Sequence, residues 1–216
     1  GRKRTYAPAM TKIIIANGAN DTVTPHQLLE HWRTRHAALV LEHLAPRRYT
    51  LTAVERPDRG YHGIATLHLR DDQSGLLDAL PEPIRADPFY EMIGPRTALR
   101  VAEHVVADGD TTGAGYKLVA FVRRRPNVDA EAFFGHWLDV HAPNVADHLH
   151  RTPGALRYVV NHAPDAPDDA PFHGVAELWY SDKAASRAHL GAVPPDGFEA
   201  LSSDLLFLAG QEEVLA

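Results

Sequence analysis

His31-Trp32-Arg33-Thr34-Arg35-His36-Ala37 and His136-Trp137-Leu138-Asp139-Val140-His141-Ala142 decide the fold. Two of the three tryptophans of the chain sit in these stretches, each with a histidine four residues later. His136 lies 105 residues after His31. At the same step, Lys12-Ile13-Ile14-Ile15 answers to Lys117-Leu118-Val119-Ala120, and His43-Leu44 to His148-Leu149. Further out, the segment 61–67 (YHGIATL) returns as 172–178 (FHGVAEL), now at a step of 111, so short insertions lie between. Rare residues matching at one step predict an internal duplication. Units of roughly 100 residues have the size of small domains, not of solenoid repeats. The expected boundaries are 10–106 for the first repeat, 107–115 for a Gly/Asp/Thr-rich linker and 116–216 for the second repeat. Residues 1–9 are set aside.

Each copy reads β-α-β-β-α-β. Apolar runs open the copies near Lys12–Ala16 and Lys117–Val122. A helix follows, capped by Thr24 with Pro25 at its first position in one copy and by Asp129 in the other. Strands near Tyr49–Val54 and Leu156–Asn161 come next, then Pro/Asp/Gly turns, then third strands over Tyr61–Leu69 and Phe172–Tyr180. Second helices are expected after Asp72 and Asp182, and last strands near Ala98–Val106 and Leu206–Leu215. This order is the ferredoxin-like split motif, an α+β fold with helices on one sheet face. The bare faces of two such repeats can be buried against each other, which predicts a pseudo-dimeric α+β barrel within one chain. A monomer then suffices for the barrel, and a homodimer is compatible with it.

Composition narrows the function. The chain has 216 residues and a net charge of −6, without the basic field that nucleic acid or an anionic membrane requires. No apolar run approaches the ~18 residues of a transmembrane helix. Cysteine is absent, which removes thiolate nucleophiles, thiolate zinc sites and iron–sulfur clusters. The Arg-rich, Lys-poor bias is that of a GC-rich genome, and no signal-peptide pattern is visible. A bacterial, cytoplasmic protein is the expectation.

On a helical wheel Leu29, Trp32, His36, Val40 and His43 share one face, as do Phe134, Trp137, His141, Val145 and His148. His36 and His141 therefore project from an apolar stripe toward the sheet. A lone histidine there is ordinarily a packing residue bonded to a carbonyl. Here it persists while its flank changes, Ala38 becoming Pro143.

Arg123-Arg124-Arg125-Pro126, Phe133-Phe134 and Trp137-Leu138-Asp139-Val140-His141-Ala142-Pro143 resemble the signature of EthD-domain proteins. The later stretches 157–162 (RYVVNH) and 172–179 (FHGVAELW) look like the second and third strands of that family. The resemblance covers nearly all of copy two. Copy one keeps Trp32 and His36 but reads Gly18-Ala19-Asn20-Asp21 where the Arg run and proline belong. The chain is thus similar to a tandem EthD-like protein of the dimeric α+β barrel superfamily. That resemblance implies small hydrophobic, aromatic or polyketide-derived ligands and chemistry that needs no cofactor; haem-binding relatives also exist.

Histidine titrates near neutrality and can take and return a proton. The expected catalytic residues are His141 and His36, with Tyr158 and Glu177; Trp137, Trp32, His148, His43, Tyr49 and Asn161 are expected to bind substrate. Gly63, Ala65, Gly174 and Ala176 on the facing strands would make room. No metal is expected: HExxH is absent, and His36/His43 and His141/His148 lie about 10 Å apart along their helix. No GxGxxG, Walker loop or GxSxG occurs. The main functional expectation is a cofactor-independent lyase or cyclase (dehydration, cyclisation or decarboxylation) working by histidine acid/base chemistry. The alternatives are a cofactor-free monooxygenase on a phenol and a non-catalytic small-molecule binding protein. Copy two, with the more family-like pattern, is expected to hold the working pocket.

Overall fold

The computed structural model describes residues 11–70, 73 and 79–216. The first half runs β1 (Thr11–Ala19), α1 (Pro25–His31), a π-helical turn (Trp32–His36), α2 (Ala37–Leu44), β2 (Arg48–Val54), β3 (Gly63–Leu69), α3 (Glu82–Arg85), α4 (Phe89–Met92) and β4 (Ile93–Ala107). The second runs β5 (Tyr116–Arg124), α5 (Ala130–His136), a π-helical turn (Trp137–His141), α6 (Ala142–Arg151), β6 (Ala155–His162), β7 (Gly174–Tyr180), α7 (Lys183–Ala192), α8 (Phe198–Leu201) and β8 (Ser202–Val214). The start expected for a helix after Asp72 falls outside the described residues. Asp182 does cap α7, its side chain accepting from the Ala185 amide.

All strand pairs are antiparallel, and the sheet closes on itself in the order β1-β3-β2-β8-β5-β7-β6-β4. Closure leaves no free sheet edge. β4 passes from β1 to β6, and β8 from β5 to β2, so each half lends its last strand to the other. One chain closes the barrel by itself.

Side chains alternate between the two sheet faces. Outward-facing Ile13, Leu51, Ala65 and Leu67 pack beneath the helices of the first half around Trp32 and Phe89. Leu118, Ala120, Ala176 and Leu178 do so in the second half around Trp137 and Phe198. Inward-facing Ile14, Ile64, Val119, Phe121, Val175, Leu206 and Leu208 fill one end of the barrel. The interior is not apolar throughout, as the simple burial of two bare faces would have it. Its other end holds Lys12, Lys117, Glu103, Glu177 and Glu212. No helix among the described residues is long and apolar enough to cross a membrane.

Candidate functional site

Thr24 closes a capping box with Gln27, and Asp129 accepts from the Glu131 and Ala132 amides, so both first helices start where their caps predict. Each then carries a π turn between its Trp and its His. The Ala37 amide donates to Trp32 O and the Ala142 amide to Trp137 O, one residue further back than in an α-helix. Such π turns are rare and recur at functional sites. The wheel is corrected accordingly: Leu28 and Phe133, not Leu29 and Phe134, are the fully buried residues one turn before the tryptophans.

The partner of each histidine comes from the segment before the last strand. Asp87 Oδ2 lies 2.7 Å from His36 Nδ1, and Asp196 Oδ2 lies 2.9 Å from His141 Nδ1. The other carboxylate oxygen accepts from an amide two residues on, Phe89 N at 3.2 Å or Phe198 N at 3.1 Å, which fixes each carboxylate. The same phenylalanines stack on the imidazoles, at 4.0 Å for Phe89–His36 and 4.3 Å for Phe198–His141. Gly197, at φ +89°, makes the turn between Asp196 and Phe198 in the left-handed region that glycine alone occupies without strain. Burial works to raise both aspartates. Hydrogen bonds from His31 and His36 outweigh it at Asp87, and bonds from Asn144 and His141 at Asp196, so both stay below the usual carboxylate range.

A carboxylate on Nδ1 fixes the tautomer that leaves Nε2 as a proton acceptor. His141 Nε2 has no protein partner among the described residues, and His141 lines a cavity of about 450 Å³ between helix and sheet. Leu118, Ala120, Trp137, Tyr158, Ala176 and Phe207 contribute to its walls. The corresponding cavity beside His36 is about half that size, 220 Å³. Tyr90 meets the His36 ring edge-on at 5.6 Å, where the second half has Glu199. His36 is almost fully buried, and desolvation holds its basicity below that of a free histidine.

Trp32, Tyr49, Trp137 and Tyr158 border these cavities. Trp32 Nε1 donates to Tyr49 Oη at 2.9 Å. Burial raises both tyrosines, so they remain neutral donors. Gly63 and Gly174 make room for indole rather than ligand: a Cβ there would sit 2.9 Å from Trp32 and 2.6 Å from Trp137. Ala65 and Ala176 do line the cavities. His43 and His148 do not; His148 bonds the Asn144 carbonyl. Glu177, expected as a catalytic residue, and Asn161, expected to bind substrate, lie on the opposite sheet face, inside the barrel.

Inside the barrel Glu177 takes Lys12 at 2.5 Å and Lys117 at 2.8 Å. Lys12 also meets Glu103, and Lys117 meets Glu212, each at 2.5 Å. Asn161 donates to Glu177 at 3.0 Å. Burial alone would raise the Glu177 carboxyl; the two ammonium groups overcome it and hold the group below its usual range. With both lysines committed, this cluster is an internal ionic lock, apart from the histidine chemistry. Among the described residues no group of side chains could hold a metal ion.

The EthD domain family matches residues 125–202. Among curated proteins none matches the sequence. An anthrone oxidase-like protein shares the fold at 12% identity and a TM-score of 0.68, covering 96% of this chain and 94% of its own. A protein named as a candidate monooxygenase from Lactobacillus acidophilus matches at 10% identity and 0.56, covering 95% of each chain. A haem-binding protein from Thermus thermophilus matches at 13% and 0.57, covering 96% of this chain and 95% of its own. At these identities the likeness is one of fold. The expectation of a lyase or cyclase is corrected: the neighbours carry names of oxidation, oxygenation and haem binding, and none of these three is named for elimination or ring closure. The match over 125–202 spans the helices of the second half with their π turn, His141 and Asp196, so this part of the barrel is similar to an EthD domain.

Proposed function

We propose that the chain is an oxygenating or oxidising enzyme that works without a bound cofactor on an uncharged aromatic substrate with an acidic hydroxyl or activated C–H group. The observation that carries this reading is His141, held through Nδ1 by Asp196 with Nε2 free on the wall of a 450 Å³ apolar cavity. In the proposed reaction His141 Nε2 removes the substrate proton, and Asp196 stabilises the imidazolium and keeps the ring aimed. In this reading Tyr158, kept neutral by burial and lining the same cavity, donates to the oxygen on which negative charge develops. The electron-rich anion then reduces dioxygen. One oxygen atom enters the substrate carbon and the other leaves as water, carrying the two hydrogens the substrate loses: both from an activated CH2, or one from a ring carbon and one from the hydroxyl. Apolar walls exclude water from the anion.

The haem-binding neighbour poses a test of fit, and the cavity fails it. Haem carries two propionates that need cationic partners. The acidic or basic side chains on this wall are His141, Asp196 and Glu199, with no Arg or Lys. We also propose that the halves are duplicated copies with the boundaries given above, supported by their shared order of elements and their shared His–Asp–Phe arrangement.

Oxygen uptake with anthrone-type and hydroxyaryl substrates tests the reading. Uptake by the purified protein that falls about 10²–10⁴-fold in His141→Ala is expected. No uptake, or equal uptake by the variant, overturns it; binding of such substrates without turnover would assign a carrier instead.

A further inference from the structure

The His36 cavity differs from its counterpart at three matching positions. β1 faces β4 through Asn17↔Arg96, Ile15↔Ala98 and Ile13↔Arg100. β5 faces β8 through Val122↔Leu205, Ala120↔Phe207 and Leu118↔Ala209. At the positions of Val122, Leu205 and Ala209 the first half has Asn17, Arg96 and Arg100, and all three line its cavity; of their counterparts, Val122 and Leu205 line the second.

Asn17 is 1% exposed, and its Oδ1 has no hydrogen-bond partner. Leaving a buried amide oxygen unpaired costs on the order of 1–3 kcal/mol, so such a group marks a place where a donor is missing. Arg96 is exposed at the rim, forms no hydrogen bond or ion pair among the described residues, and acts electrostatically on both His36 and Tyr90. The remaining walls are largely aromatic, with Trp32, Tyr49, Phe89 and Tyr90. A volume of 220 Å³ is that of one ring with its substituents; a ~150 Å³ apolar cavity already takes benzene.

We infer that the first half holds a second binding site, for a single-ring aromatic monoanion that carries a hydrogen-bond donor. Its carboxylate meets Arg96 at the rim, its ring fills the aromatic slot, and its donor, a hydroxyl or amine, reaches Asn17 Oδ1. The site is independent of the oxidation assigned to the His141 cavity, whose wall has no cation to hold an anion.

Salicylate is the probe and salicyl alcohol its uncharged twin. Isothermal titration of the full chain is expected to show salicylate binding that weakens with salt and exceeds that of the alcohol by about tenfold. Arg96→Gln, a change at an exposed position, is expected to lower salicylate affinity by about tenfold or more and to remove the salt dependence. Asn17→Val, which installs the side chain found at the matching position 122, is expected to lower it by about fivefold or more. Phe207→Ala, in the other cavity, is expected to leave it unchanged. Absence of millimolar binding, equal affinity in Arg96→Gln, or a loss in Phe207→Ala in place of Arg96→Gln overturns the inference.

Discussion

The two helix–sheet cavities share a histidine on a π turn, an aspartate on its Nδ1 and a phenylalanine stacked on its ring. They differ in access and in the character of the rim. Around His36, Tyr90 and a second histidine close in: His31 Nε2 also reaches Asp87, at 2.6 Å. Around His141 the matching distance, His136 to Asp196, is 4.0 Å, and Asp196 takes Asn144 at 2.8 Å in its place. Leu190, Leu205 and Phe207 are large apolar residues left exposed at the mouth of that cavity. The same dyad thus faces a smaller cavity with a cationic rim in one half and a larger apolar cavity in the other. In the proposed reading, the larger apolar space in front of His141, not the residue or its partner, sets it apart from His36.

The comparison breaks most directly at the histidines. His141→Ala is expected to lower turnover about 10²–10⁴-fold, whereas His36→Ala leaves it within a few-fold. Asp196→Asn reverses the tautomer preference and falls in the same range, with KM nearly unchanged, while Asp87→Asn has little effect. The reverse ranking in steady-state kinetics would move the working site to the first half.

Glu177 stands where the first half has Thr66. Glu177→Gln leaves Lys12 and Lys117 without their shared carboxylate and is expected to destabilise the fold by about 3–5 kcal/mol. Urea denaturation measures this; a loss under ~1 kcal/mol would mean that the interior is hydrated enough to screen the charges.

His162 stands where the first half has Ala53. It packs on Phe134 at 4.4 Å, its Nε2 is unpaired, and burial pushes it down to about 3. An unfolded histidine binds a proton near pH ~6.5. Below that pH the unfolded chain gains a proton that the folded chain refuses, so stability falls as pH drops from ~6.5 toward 3, by up to ~1.4 kcal/mol per unit. Between pH 7.5 and 5.0 this one group removes up to ~2 kcal/mol. The depressed carboxylates do not contribute until pH falls below ~4.3. His162→Phe is expected to flatten the decline by about that amount; an unchanged slope would show that the imidazole is protonated in place.

Phe207→Ala, matching Ala98 in the first half, is the mildest change. It is expected to raise KM for an aromatic substrate about fivefold with kcat unchanged, as removal of one partly exposed apolar contact should. An unaltered KM would place the substrate deeper in the cavity.

Much of this architecture is legible in the sequence. Trp and His are rare enough for one shared step to reveal matching helices, and strand order follows from the apolar runs around them. The aspartates are not found this way. Asp87-Pro88-Phe89 and Asp196-Gly197-Phe198 are a visible pair, but insertions have moved their step to 109, outside the helical register. The π turn is hidden because Trp and His four residues apart suit an α-helix equally well. The place of Glu177 is hidden for another reason. Alternation along a strand says which residues share a face, but not whether that face meets a helix or the opposing wall of a barrel.

The single carboxylate between two lysines has a bearing on assembly. Cut within 107–115, the chain yields fragments with different central chemistry. Paired with itself, the first would bring two Lys12 and two Glu103 together over two Thr66 hydroxyls, with no carboxylate between the lysines; the second would set four carboxylates, two Glu177 and two Glu212, against two Lys117. The mixed pair alone sets one anion between two cations. The ionic lock is therefore expected to act as a pairing code that favours the heterodimer of split fragments even without the linker that joins them.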